Sequence, residues 1–123
     1  MFAVVWVNGA DQLSEENKKR GKKMFKSMGM PEFYQEAKRS QLAIIDVREV
    51  FEYEMGHISG AINLPLSEIG DTFGTLEKET PYFLICQSGS RSAMAGEFLG
   101  NQGYDVTNIL GGMGSWPGDM EWI

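Results

Sequence analysis

Tyr82-Phe83-Leu84-Ile85 is an unbroken apolar run, entered through Pro81 and broken at once by Cys86-Gln87-Ser88-Gly89-Ser90-Arg91. A strand that is apolar on both sides has no water-facing side, which is the setting of an inner strand in a parallel sheet. Parallel neighbours need long crossovers, usually helical, so this run points the chain towards an α/β fold. Ser92-Ala93-Met94-Ala95-Gly96-Glu97-Phe98-Leu99 follows as the expected crossover helix. The only cysteine of the chain stands where the strand becomes loop.

That position has chemical consequences. Open parallel sheets place their sites in loops at the carboxyl ends of strands. A loop that runs into a helix start turns backbone N–H groups and the positive end of the helix dipole towards whatever it encloses. A thiolate held there is stabilised, and its pKa falls below the free value of about 8.5. Arg91 adds a permanent positive charge, and Gly89 permits backbone turns that a Cβ would obstruct. An intracellular lone cysteine is ordinarily a small buried hydrophobe. Here the residues after it are polar and small, which favours a reactive thiol able to carry an anionic group.

The other elements alternate in the same way. Phe25 to Met28 reads as a strand, Pro31 to Ala37 as a short helix with proline in its first turn, and Leu42 to Val47 as a strand. Val50 to Met55 reads as a helix ended by Gly56, Ala61 to Leu64 as a strand stopped by Pro65, and Leu66 to Leu76 as weakly helical, interrupted by Gly70 and Gly74. Tyr104 to Leu110 is the last strand, closed by the glycine-rich stretch from Gly111 to Pro117. Towards the start, Phe2 to Val7 is too short to span a membrane and reads as an edge strand or a frayed end, and Leu13 to Lys26 as helix.

Charge divides the chain. Six basic residues against three acidic lie in residues 1–27, whereas residues 28–123 carry a net charge of −9. We expect a basic N-terminal extension over 1–27, its charges a solvated face, and one domain over 28–122. The acidic body argues against nucleic-acid binding. A single cysteine leaves no internal disulfide and no resolving thiol, which fits a reducing, cytoplasmic setting. One Cys and one His cannot make a closed zinc site, and no metal or cofactor is expected.

Four stretches together resemble the rhodanese family of single-domain sulfurtransferases. They are Asp46-Val47-Arg48-Glu49, then Gly56-His57-Ile58-Ser59-Gly60-Ala61-Ile62-Asn63, then Cys86 to Ser92, then Gly111-Gly112-Met113-Gly114-Ser115-Trp116. The resemblance covers roughly residues 28–122. It implies a three-layer domain: a mostly parallel sheet of about five strands, with helices on both faces. It implies that Cys86 takes a sulfane sulfur from a donor and holds it as a persulfide. Gln87, Ser88, Gly89, Ser90, Arg91 and Ser92 would cradle that sulfur, with Arg91 closing the loop and helping to bind anionic donors. Asp46, Arg48 and His57 would be structural supports. Related cell-cycle phosphatases have one more residue between Cys and Arg; the four found here match the sulfurtransferase loop.

The implied partners are a small sulfur donor (thiosulfate, a polysulfide or a protein persulfide) and a thiol or protein acceptor, with cyanide as an assay acceptor. A monomer is the favoured state. Two other function classes stay open: a sulfur-carrier or adaptor module with little activity alone, and a redox sensor in which Cys86 oxidises to a sulfenic acid. His57 as the base of a Cys–His pair is disfavoured by its Gly-His-Ile loop, and Asp46 as a catalytic carboxylate by neighbouring Arg48. Met113 and Trp116 are assigned to lid or core packing.

Overall fold

The computed structural model describes residues 24–122. The expectations for an edge strand at 2–7, for a helix from Leu13 and for most of the basic extension lie outside the described residues. Five strands form one sheet: β1 (Lys26–Met28), β2 (Ala43–Asp46), β3 (Ile62–Asn63), β4 (Tyr82–Ile85) and β5 (Val106–Ile109). Their spatial order is β1-β5-β4-β2-β3, and every pairing is parallel. Four α-helices lie among the described residues: α1 (Met30–Arg39), α2 (Val50–Glu54), α3 (Ile69–Thr72) and α4 (Ser90–Asn101). None of them is long and apolar enough to cross a membrane.

Successive strand residues point to opposite faces, and the apolar core divides accordingly. Ile45, Leu84, Cys86 and Val106 face α4, where they meet Ala95 and Leu99. Ile44, Ile85 and Ile109 face α1, where they meet Met30 and Phe33. Both faces of β4 are thus covered, as its unbroken apolar run requires. Gly96 and Gly100 let α4 approach the chain ahead of β1: a Cβ on Gly100 would lie 2.3 Å from the Met24 carbonyl oxygen.

Two expectations about local structure change. Leu66 to Leu76 is helical in short pieces, 3-10 turns at Leu66–Glu68 and Phe73–Thr75 flanking α3, but Gly70 and Gly74 lie inside these pieces rather than breaking them. The crossover helix starts at Ser90, two residues earlier than Ser92. Gly89 makes the whole turn at φ +109°, a conformation that L side chains rarely adopt. Ser90 and Arg91 therefore sit on the first turn of α4 rather than in the loop.

From β2 the chain moves outward to β3, whereas from β4 it moves the other way to β5. The crevice at the carboxyl ends of β2 and β4 is thus a topological switch point, the usual place for a site in such a sheet. Asp46 ends β2 there, and Cys86 follows β4.

Candidate active site

The site grows out of the short turn between β4 and α4. Cys86 is fully buried, while Gln87, Ser88 and Ser90 around it are exposed. Because Gly89 turns back so tightly, its N–H reaches the Cys86 sulfur at 3.1 Å. One turn into α4, Ser92 brings its N–H and its hydroxyl oxygen to the same sulfur, each at 3.3 Å. These are the orphan N–H groups of a helix start, satisfied by a sulfur instead of a capping side chain. Burial pushes the Cys86 thiol up, but hydrogen bonds from the Ser92 hydroxyl and from the N–H groups of Ser92, Gly89 and Ser88 outweigh it. The net result is a pKa below the ordinary cysteine value.

A second glycine-rich segment holds the turn from behind. The stretch after β5 is not plain loop: Gly112–Ser115 forms a 3-10 turn. Its N–H groups bind the backbone of the β4–α4 turn, Met113 to the Cys86 carbonyl at 2.7 Å and Gly114 to the Gln87 carbonyl at 2.9 Å. Gly112 sits at φ +56°, and a Cβ there would lie 2.3 Å from the Cys86 carbonyl oxygen. Met113 is in the core below, and Trp116 packs against Phe33 and edge-on against Tyr34.

Arg91 leaves the sulfur cradle and pairs with Glu52 on α2. Glu52 also accepts the N–H of Glu49, closing a capping box at the start of α2. Asp46 and Arg48 form a buried pair in which Arg48 also donates to the Gly56 carbonyl at 2.7 Å. His57 stacks on Tyr53 at 3.7 Å and donates Nδ1–H to the Tyr53 carbonyl; its backbone pairs with Glu121. No hydrogen bond joins His57, Asp46 or Arg48 to the sulfur among the described residues. Those residues also include no group of three or more His, Cys, Asp or Glu side chains that could hold a metal ion.

The model of the Rhodanese-like domain family matches residues 30–119, from α1 to beyond the glycine-rich turn. The chain belongs to this family. A crystallised rhodanese-like domain protein of Staphylococcus aureus superposes with a TM-score of 0.75 at 34% identity, covering 80% of this chain and 99% of that one. YrkF of Bacillus subtilis, provisionally named a sulfur carrier protein, is 41% identical over 81 residues. Those residues are 65% of this chain but only 44% of YrkF, so the match spans less than half of that relative. The thiosulfate sulfurtransferase GlpE of Shewanella oneidensis is 29% identical over 93 residues, 75% of this chain and 92% of its own length. The rhodanese-like fold expected from the four stretches is therefore the fold observed.

Two residues of the site escaped the sequence reading. Glu52 looks like any exposed helix carboxylate, and only the packing of α2 beside α4 pairs it with Arg91. Asn108 is buried on β5, where its amide meets both Gly89 and Ser92. Its signal was an asparagine, a residue ill suited to strands, on the same face of β5 as Val106.

Proposed function

We propose that the protein is a sulfurtransferase working through a Cys86 persulfide. The observation that carries this is the Cys86 sulfur at the head of α4, receiving two backbone N–H groups and turned towards one serine hydroxyl. Such a cradle favours the thiolate as nucleophile and again as leaving group. The positive end of α4 also suits the negative charge that a persulfide carries on its outer sulfur.

With thiosulfate, the thiolate attacks the outer sulfur. The S–S bond of the donor breaks, its electron pair leaves with sulfite, and Cys86 keeps the transferred sulfur as a persulfide. An acceptor thiolate then attacks that outer sulfur. A new persulfide forms on the acceptor, and the electron pair of the broken S–S bond returns to Cys86 as thiolate. No external oxidant or reductant is consumed.

Arg91 is the one cation between Cys86 and Ser92, and it is held by Glu52. Its charge is largely answered before any donor arrives. This supports weak binding of the doubly charged thiosulfate and favours polysulfides or protein persulfides as donors. Saturation by thiosulfate at micromolar concentration would contradict that preference.

Intact-mass spectrometry after incubation with thiosulfate or polysulfide tests the main reading. Wild type should gain one sulfur atom and Cys86→Ser none, and cyanide should reverse the gain with release of thiocyanate. No gain with any donor would overturn it. The likeness to YrkF favours one second reading, a carrier module that needs a protein acceptor. Turnover that rises steeply only when a protein thiol is supplied would select it.

A further inference from the structure

Asn108 is a polar residue where its strand face is otherwise apolar. Val106 and Asn108 share the α4 face of β5, and Asn108 lies in register beside Leu84 of β4. At 3% exposure, its amide needs partners for donor and acceptor alike. Nδ2 donates to the Gly89 carbonyl at 3.2 Å. A carbonyl can only accept, so the amide cannot be turned around. Oδ1 must therefore face Ser92, whose hydroxyl donates to it.

A serine hydroxyl has a single proton. The Ser92 hydroxyl stands beside two acceptors, Asn108 Oδ1 and the Cys86 sulfur at 3.3 Å. We propose that Asn108 is a positioning residue that competes with Cys86 for the Ser92 proton and so sets how readily the thiolate forms.

With the proton on Oδ1, Ser92 turns a lone pair to the sulfur. That arrangement suits a thiol donating its S–H, and the uncharged inner sulfur of a persulfide is too weak an acceptor to draw the proton away. With the hydroxyl rotated onto the sulfur, the thiolate gains a donor and Oδ1 loses one. A buried acceptor without a donor is costly, so Asn108 opposes the thiolate. In sulfur transfer the sulfur is thiolate when it attacks, uncharged while loaded, and thiolate again when it leaves; the Ser92 proton would swing with each step. The catalytic meaning rests on the sulfurtransferase reading, but the competition for the proton does not.

The charged groups around the turn are Arg91 on α4, its partner Glu52 on α2 with neighbouring Glu49, and the Asp46–Arg48 pair after β2. β5 and the glycine-rich turn after it bring no titratable side chain. None of these charged groups is hydrogen-bonded to the sulfur or to Ser92.

The test is the rate of Cys86 alkylation by iodoacetamide against pH, in the full chain. Asn108→Ala should move the midpoint to lower pH, with about tenfold more thiolate well below both midpoints. Asn108→Val, better suited to a strand, should do the same and serves where alanine fails to fold. Ser92→Ala should move the midpoint to higher pH. Adding either Asn108 change to Ser92→Ala should then move nothing, because no proton is left to compete for. An unchanged or raised midpoint in a folded Asn108 variant would overturn the proposal. So would an equal acid shift in the Ser92→Ala background, or failure of both Asn108 variants to fold, since Asn108 would then act through packing. Alkylation reads the thiolate whether or not a sulfur donor reacts. Failure of persulfide loading with this pattern intact would sink the sulfurtransferase reading and leave the competition standing.

Discussion

Arg91 on α4 and Glu52 on α2, 39 residues apart, are joined by two parallel hydrogen bonds: Nη1 to Oε1 at 2.7 Å and Nη2 to Oε2 at 2.9 Å. Oε1 also accepts the Glu49 N–H, so one carboxylate caps α2 and holds the head of the helix that cradles the sulfur. The Arg91 hydrogen bonds, against the opposing effect of burial and with help from the Glu49 N–H, bring the Glu52 carboxyl from 4.5 down to about 2.

A carboxyl depressed in the folded state stabilises above its unfolded pKa and loses that contribution as pH falls through the folded one. Glu52→Gln should therefore cost about 1–2 kcal/mol near neutrality, allowing for solvent screening of a partly exposed pair. The gap between wild type and variant should close as pH falls from about 4.5 towards 2. Urea unfolding of both proteins across that range checks it. A gap that stays constant to pH 2 would show that the pair is not its source.

Gly112→Ala should damage the site more than its size suggests. The substitution combines a left-handed backbone, φ +56°, with a contact of 2.3 Å to the Cys86 carbonyl. Backbone atoms cannot rotate away as a side-chain tip does. We expect a loss of at least ~2 kcal/mol in unfolding free energy. Cys86 alkylation should also shift to higher pH as the turn around the sulfur moves.

Asp46 accepts Arg48 Nε at 2.9 Å and Nη2 at 2.7 Å, with side chains 0% and 6% exposed. Asp46→Ala leaves a buried guanidinium with only the Gly56 carbonyl. The expected cost is about 3–5 kcal/mol. Replacing both residues, Asp46→Ala with Arg48→Leu, should recover a large part of it in chemical denaturation, because the unpaired charge causes most of the loss.

His57 separates a structural role from a catalytic one. It holds the Tyr53 carbonyl through Nδ1 at 2.7 Å and stacks on the Tyr53 ring. His57→Phe keeps the stacking and drops the hydrogen bond. Thermal unfolding should move down by the equivalent of about 1 kcal/mol. The pH profile of Cys86 alkylation should stay where it is; a displaced profile would mean that His57 serves the thiol after all.

The α/β class, the inner strand Tyr82–Ile85 and the glycine stops around it were legible because hydrophobic period and turn residues act over a few positions. The start of α4 was misplaced by two residues because Ser90 and Arg91 suit a loop and a first helical turn equally. Only the left-handed turn at Gly89 decides between them. Arg91 was recognisable as a permanent cation, whereas its engagement by Glu52 was not. That pairing depends on how two helices cross the same sheet end.

Neighbouring residues were enough to put one cysteine at the end of a buried strand, followed by a polar turn and a helix. Strand burial and helix starts are written in neighbouring residues. The groups that surround that sulfur came together through folding. Sheet register sets Asn108 beside Leu84, the glycine-rich turn lies against the Cys86 backbone, and Glu52 crosses to Arg91. Each of these contacts joins distant parts of the chain. Its geometry follows from the close packing of a whole core, which no local run of residues encodes.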